Sequence, residues 1–207
     1  MRRLTGLMLA FAVVGAGTIP TAVFAQAPAT ADTAAAGEFI TTLADRVFSV
    51  LRENQSRPAI KTKFRGMLKE NFAVDDAGMR LIRRYRSQIT PDQLAAYKAV
   101  LPDYVVNVYA DRLINYSNAT VKVVRTQPHG ATGNVDVFSQ IVVPGKNPLD
   151  IIWLVQHGES GKWLIGNVTV AGVNLSLTQE ADFSAFIAKN GFDALVAMMK
   201  SANGKPV

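Results

Sequence analysis

The sequence contains no cysteine and only two histidines. Disulfide bonds, thiolate nucleophiles, thiolate metal ligands and a lipid-modified N-terminal cysteine are therefore excluded. His129 and His157 fall in predicted turns without an acidic residue or second histidine at metal-ligand spacing, which favours solvated turn residues. No G-x-S-x-G or H-E-x-x-H motif occurs, and residues 158–162 lack the full spacing of a phosphate loop. The sequence thus offers little for covalent, metal or phosphate-loop chemistry.

Long apolar runs are also scarce, and the one near the N-terminus is short. Arg2 and Arg3 precede an apolar run at residues 7–14, and small residues follow up to Ala25. This pattern predicts a secretory signal peptide over residues 1–25, cleaved after Ala25. A retained anchor is the alternative, but glycines and a proline interrupt the run well short of the roughly 20 residues that a spanning helix needs.

The chain without its signal peptide is mildly basic. It has 182 residues, of which 20 are Lys or Arg and 16 are Asp or Glu, so its net charge is +4. This length suits one domain with a substantial core. Because an exported protein has little access to nucleic acid, no nucleic-acid partner is expected, and anionic membranes or acidic proteins are favoured.

The first half of the domain is predicted to be helical. Residues 26–36 are small and polar and predict a disordered spacer, which leaves a single domain over residues 37–203. Apolar residues recur at helical spacing up to about residue 115, and Asp75 could cap one of these helices. Residues 90–93 form a good helix start with a Thr cap, Pro in the first turn and Gln at the capping-box position. We expect Pro102 to break or restart that helix.

From residue 120 the apolar period changes to two. Turn-rich segments separate four strand-like runs at residues 121–126, 135–143, 149–156 and 162–175. The short connections predict an antiparallel meander. Two further helical segments end the chain, with Gly191 as the break between them. The pattern predicts an α+β domain in which helices precede and follow a curved sheet of about four strands.

The segment IIWLVQ, which begins at Ile151, has no polar face. Alternation places Trp153 and Val155 on the same side as Ile151, and Ile152 and Leu154 on the opposite side. Neither side suits water. Either helices cover both faces and the core is filled, or helices stand off one face and leave a cavity that holds an apolar ligand.

A few charged residues are candidates for chemistry. Asp136 and Asp150 lie on strands and could act as general bases, although alternation directs both to solvent. A basic run lies on the predicted third helix and comprises Arg80, Arg83, Arg84 and Arg86. The first three share one helical face, which could contact a phosphate or could be a solvated surface.

The last third of the chain carries a specific pattern: a tryptophan, a β run into a Gly-Val segment, a Phe-containing helix and a closing Gly-hydrophobic-Asp-x-Leu motif. Its residues are Trp163, Val168, Val170, Gly172, Val173, Leu175, Phe183, Phe186, Gly191, Phe192, Asp193 and Leu195. Upstream, Phe72, residues 83–86, residues 90–93 and Tyr109 also match. In these motifs, residues 38–200 resemble the MlaC family, also called the toluene-tolerance (Ttg2) family. Departures from the family occur at Asn167, Asn174, Gln179 and Glu180.

The resemblance implies both a fold and a function. The implied fold is an NTF2-like cone, in which helices wrap a curved sheet around an apolar cavity. The implied function is a non-enzymatic periplasmic phospholipid carrier with no cofactor, whose cargo is a glycerophospholipid. Its implied partners are an outer-membrane lipoprotein complex and the inner-membrane substrate-binding component of an ABC transporter, and its role is maintaining outer-membrane lipid asymmetry.

Strand alternation and the helix after residue 90 supply the expected lipid contacts: Val123, Val137, Ile141, Ile151, Trp153, Val155, Ile165, Val168, Val170, Val173, Tyr104, Val108, Tyr109 and Leu113. The head group or a protein partner is expected to meet Arg80, Arg83, Arg84 and Arg86. No catalytic or metal-binding residue is expected. Two alternatives stay open, an NTF2-like enzyme that uses a pocket acid such as Asp136 or Asp150, and a protein-binding adaptor with a filled core.

Overall fold

The computed structural model describes residues 29–53, 55–114 and 116–204. The predicted signal peptide and residues 26–28 lie outside the described residues. The helices are α1 (Ala29–Arg52), α2 (Arg57–Asn71), α3 (Val74–Leu81), α4 (Pro91–Ile114), α5 (Leu175–Asn190) and α6 (Phe192–Asn203), with a 3₁₀ turn at Arg83–Tyr85. The strands are β1 (Thr120–Pro128), β2 (Val135–Val142), β3 (Leu149–His157), β4 (Trp163–Val170) and β5 (Val173–Asn174). The predicted α+β class is confirmed.

The sheet is an antiparallel meander of five strands in the order β1-β2-β3-β4-β5. The prediction of one strand over residues 162–175 is wrong, because the chain reverses at Ala171 and Gly172 between β4 and β5. Both residues have positive φ, 47° and 81° respectively. A two-residue hairpin turn with this geometry matches the twist of the sheet. Apolar alternation continues across the turn and hides it in the sequence.

Helix α4 begins and ends close to the predicted positions but is continuous where a break is expected. The Gln93 amide donates to Thr90 Oγ1 at 3.2 Å, and the Thr90 amide donates to Gln93 Oε1 at 3.0 Å, which completes the capping box. The expected break at Pro102 is wrong, because α4 runs through it without interruption. Leu101 and Val106, on either side of Pro102, are buried in two different core clusters, and this packing outweighs the lost backbone hydrogen bond.

Two other helix starts differ from expectation. Helix α1 begins at Ala29, inside the stretch predicted to be a disordered spacer, and Ala36 is completely buried against the sheet. An alanine-rich segment has a high helix propensity, which its small and polar composition obscured. Asp75 lies in the first turn of α3 rather than at its N-cap, which is Ala73. The Ala73 amide instead donates to the carbonyl of Ile165 and anchors α3 to β4.

Three apolar clusters hold the helices on one face of the sheet. The first joins α1, α2 and α4 through side chains such as Phe48, Phe64 and Val106. The second joins the 3₁₀ turn region, α4, α5 and α6, with Tyr97 at its centre. The third packs α1 on the strands through Ile40 and its neighbours. All three clusters lie on the helical side of the sheet, and an open space remains between the side chains of the three clusters that border it.

The two sides of β3 have different surroundings. Ile151 and Val155 point to the helical side and are buried. Ile152 and its partner Phe138 lie on the opposite side and are partly exposed, and the guanidinium of Arg125 lies 3.4 Å from the centre of the Phe138 ring. Arg125 therefore shields part of this outer face, and the helices lie on the side of Ile151 and Val155.

The buried hydroxyl of Tyr97 generates a prediction about stability. Tyr97 is fully buried and donates to the Gly78 carbonyl at 2.9 Å, which ties α4 to α3. Burial raises its pKa, so the hydroxyl stays protonated. We expect Tyr97→Phe to lower the free energy of unfolding by about 1 kcal/mol in urea denaturation. Tyr116→Phe is the control, because the Tyr116 hydroxyl makes no hydrogen bond within the described residues; equal effects in both variants would contradict the assignment.

Candidate functional site

An apolar cavity of about 400 Å³ lies between the helices and the inner face of the sheet. Helices α1 and α2 supply one wall with Leu43, Val47, Phe64, Met67 and Leu68, and the sheet supplies another with Ile141, Ile151, Trp153, Ile165, Val168 and Val170. Helices α4 and α5 complete the enclosure with Leu101, Val105, Leu113, Leu175 and Phe183. This size and lining are typical of a small-molecule site.

Nine of the fourteen predicted lipid contacts line this cavity: Ile141, Ile151, Trp153, Ile165, Val168, Val170, Tyr104, Tyr109 and Leu113. The other five do not. Val137 and Val155 are completely buried beneath α1, and Val123 packs beside them. Val173 is 52% exposed on the short strand β5, and Val108 lies on α4 away from the lining. Alternation identified the face of the sheet that borders the cavity but could not show that α1 covers part of it.

The strand prediction missed the walls that α1, α2 and α5 supply. Val47 and Phe64 belong to recognisable helical stripes and line the cavity, but a stripe that packs against a neighbouring helix has the same periodicity as one that faces a cavity. The distinction is tertiary. Only the packing of the three apolar clusters shows which side chains border the open space.

Trp153 occupies a fixed position in the sheet wall. Its indole N–H donates to Ser139 Oγ at 2.8 Å, and Ser139 is itself buried. This hydrogen bond satisfies both polar groups inside an apolar layer, where an unpaired donor would be costly. The indole therefore presents its apolar surface to the cavity.

Polar side chains gather where α4 and α5 border the cavity. Tyr104, Tyr109 and Arg112 come from α4, and Ser176 and Gln179 come from α5. The Tyr104 ring lies 5.9 Å from the Phe183 ring across the two helices, and the Arg112 guanidinium carbon lies 5.7 Å from the centre of the Tyr109 ring. We call these five polar residues the rim.

The phenols of the rim titrate above their ordinary range. Burial is the largest cause and raises the pKa of both Tyr104 and Tyr109, and the charge of Asp182 acts in the same direction. The positive charge of Arg112 offsets part of the effect on each residue. Both phenols are therefore neutral near pH 7 and can donate hydrogen bonds.

Comparison with known proteins identifies the family. The family model described as MlaC protein matches residues 41–201. The chain belongs to the MlaC family. The intermembrane phospholipid transport system binding protein MlaC of Haemophilus influenzae is 22% identical over 171 residues, which cover 79% of this chain and 80% of that protein. The resemblance inferred from the C-terminal motifs is thus confirmed.

A solved structure shares the fold of this MlaC-family chain. It is a phospholipid-binding protein from Ralstonia solanacearum in complex with a phospholipid. The TM-score is 0.69 at 22% sequence identity, and the match covers 81% of this chain and 96% of that one. At this identity the likeness establishes the fold.

The four predicted contact arginines of this MlaC-family chain lie away from the cavity lining. Arg80 donates to the Gly166 carbonyl at 2.6 Å. Arg83 Nε lies 2.6 Å and Arg84 Nε 3.7 Å from Glu180 Oε1, although both arginine side chains are mostly exposed. Arg86 is exposed. The first three arginines therefore join α3 and the 3₁₀ turn to β4 and α5.

The two candidate acids lie on the outer face of the sheet, as alternation predicted. Asp136 Oδ2 lies 2.9 Å from His129 Nδ1, because the β1–β2 hairpin brings the two residues together. Asp150 accepts from the Gln140 amide at 3.0 Å. His157 stacks on Trp163 at 3.7 Å between ring centres. The described residues that line the cavity include neither Asp nor Glu.

Two further features are absent from the described residues. No group of three His, Cys, Asp or Glu side chains lies close enough there to hold a metal ion. None of the described helices is long and apolar enough to cross a membrane.

The rim tyrosines generate a prediction about pH. Their folded-state pKa values are raised, so the folded state holds these protons more tightly than the unfolded chain, whose tyrosines titrate near about 10. The stabilisation is complete below that pH and is lost as the pH rises through the folded values. We expect the free energy of unfolding, measured in urea from pH 8 to pH 11, to fall less steeply for the Tyr104→Phe/Tyr109→Phe variant than for the parent. Parallel pH profiles would contradict this account.

Proposed function

We propose that this MlaC-family protein is a periplasmic phospholipid carrier that shuttles lipid between the outer membrane and an inner-membrane ABC transporter. The acyl chains occupy the cavity, and the head group stays at the rim. The observation that carries the proposal is an apolar enclosure whose polar lining residues lie mostly on α4 and α5. The phospholipid transport named for the Haemophilus relative and the phospholipid bound by the Ralstonia neighbour support this choice of ligand.

The free energies of transfer suit a carrier. Exposing two chains of roughly 16 carbons to water costs on the order of 0.8 kcal/mol per methylene, or some 20 kcal/mol in total, so unassisted exchange is very slow. A cavity that is as apolar as a bilayer removes most of this cost. Loading and unloading then differ little in free energy, so a partner that hydrolyses ATP must supply the direction of transport.

The two alternative functions require features that differ from those observed. An enzyme with a pocket acid needs a carboxylate at the cavity, whereas Asp136 and Asp150 lie on the outer face of the sheet. An adaptor with a filled core needs side chains in the space that the cavity occupies. Cargo binding accounts for both the cavity and the polar rim.

Arg83, Arg84 and Arg86 form an exposed basic surface that could contact a protein partner. Arg86 is exposed, and Arg83 and Arg84 keep most of their side chains accessible while they neutralise Glu180. An acidic surface on an outer-membrane or inner-membrane partner would complement them.

Lipid analysis of the exported protein tests the proposal directly. The full chain, expressed with its signal peptide and purified from the periplasm, is extracted with organic solvent for mass spectrometry. We expect close to one diacyl phospholipid per protein. An extract without phospholipid, repeated after incubation with liposomes, would overturn the carrier function.

Filling the cavity provides a second test. Val168 lines the cavity on β4, and Val173 is exposed on the neighbouring strand β5. We expect Val168→Trp to lose most of the bound phospholipid, because the indole takes the space of an acyl chain, whereas the control Val173→Trp retains it. Thermal melting checks that both variants fold. Equal retention in two folded variants would place the lipid elsewhere.

A further inference from the structure

Arg112 is the one charged side chain among the described residues that line the cavity. It lies on the last turns of α4 at the rim, is exposed, and has its guanidinium 5.7 Å from the centre of the Tyr109 ring. No carboxylate in the described part of the chain forms an ion pair with it, in contrast to Arg83, which meets Glu180. Arg112 is therefore available for an external anion.

Asp182 lies on the opposite helix of the rim. It follows Gln179 by three positions on α5, so the two side chains share a helical face, and it directly precedes Phe183, whose ring contacts Tyr104. Its negative charge also contributes to the raised pKa of both Tyr104 and Tyr109, on which the charge of Arg112 acts in the opposite direction. Asp182 is exposed and makes no ion pair with any described residue.

Opposite charges thus stand on α4 and α5 with two phenols nearby. If Arg112 and Asp182 served to hold the helices together, they would be expected to pair with each other, as Arg83 and Glu180 do at 2.6 Å. They do not form such a pair. A ligand that carries both charges could satisfy both side chains at once.

We propose that Arg112 and Asp182 form a two-point site for a zwitterionic phospholipid head group, in which Arg112 binds the phosphate and Asp182 the ammonium group. This inference rests on the proposed carrier function and specifies its substrate class. A guanidinium matches phosphate oxygens with two parallel hydrogen bonds. An ammonium group gains from both a carboxylate and the faces of aromatic rings such as Tyr104 and Tyr109. An anionic head group without an amine gains at Arg112 and is repelled at Asp182.

Competition between two lipids tests the site. The full-length exported protein is incubated with vesicles containing equal amounts of phosphatidylethanolamine and phosphatidylglycerol, and the bound lipids are measured by mass spectrometry. We expect the parent to enrich phosphatidylethanolamine by about threefold, as suits one exposed charge interaction. Asp182→Asn should abolish the enrichment, and Asp182→Lys should reverse it. Arg112→Gln should weaken retention of both lipids by about tenfold.

Charge-matched variants away from the rim serve as controls. Asp150→Asn removes a carboxylate on the outer face of the sheet, and Arg52→Gln removes an exposed arginine outside the cavity lining. Neither should alter the lipid ratio. Thermal melting verifies folding of every variant.

The outcomes separate this site from the carrier function. Normal loading with no preference in the parent, or a preference that Asp182→Asn and Asp182→Lys leave unchanged, would overturn the two-point site while the carrier function stands. Failure to load either lipid would overturn the carrier function and the site with it. Loss of preference in Asp150→Asn as well would assign the effect to net charge and overturn the site.

Discussion

The packing of α1 across only part of the sheet is the constraint on which the cavity depends. Ile40 and Leu43 cover the region around Val137 and Val155, where the side chains are completely buried. The rest of the same face, around Ile151, has no helix directly upon it and borders the cavity instead. Where an apolar sheet face is larger than the helix that covers it, other elements either pack onto the uncovered part or leave a cavity above it. Here the clusters between α2, α4, α5 and α6 hold the other walls apart.

Those clusters explain how the fold supports a cavity without disulfide bonds. The contacts that stabilise the domain lie around the cavity rather than across it, so its stability does not require side chains to fill the centre. Tyr97, with its hydroxyl bonded to Gly78, and the backbone link from Ala73 to Ile165 tie the helices to one another and to the sheet. A ligand could therefore enter and leave without disrupting the main core.

Much of this architecture could be predicted from periodicity. The change from helical to alternating spacing near residue 120, the capping box before α4 and the inward position of Ile151 all depend on local sequence. The continuity of α4 through Pro102 could not be predicted, because tertiary packing decides it. The hairpin at Ala171 could not be predicted either, because its turn sequence is untypical. The cavity walls from α1 and α2, and the rim residue Arg112, likewise depend on how distant segments meet.

The arginines differ in whether their charge already has a partner within the fold. Glu180 is only 7% exposed, and a buried carboxylate must be neutralised, which Arg83 does at 2.6 Å with Arg84 nearby. A phosphate at Arg83 would have to compete with that carboxylate and leave it unpaired. Arg112 has no such internal partner among the described residues and stands at the cavity itself. Arg112, which is unpaired among the described residues and lies at the edge of an apolar cavity, is therefore a stronger candidate for binding a phosphate group. The arginines of the basic run are weaker candidates, because three of them already bind groups within the fold.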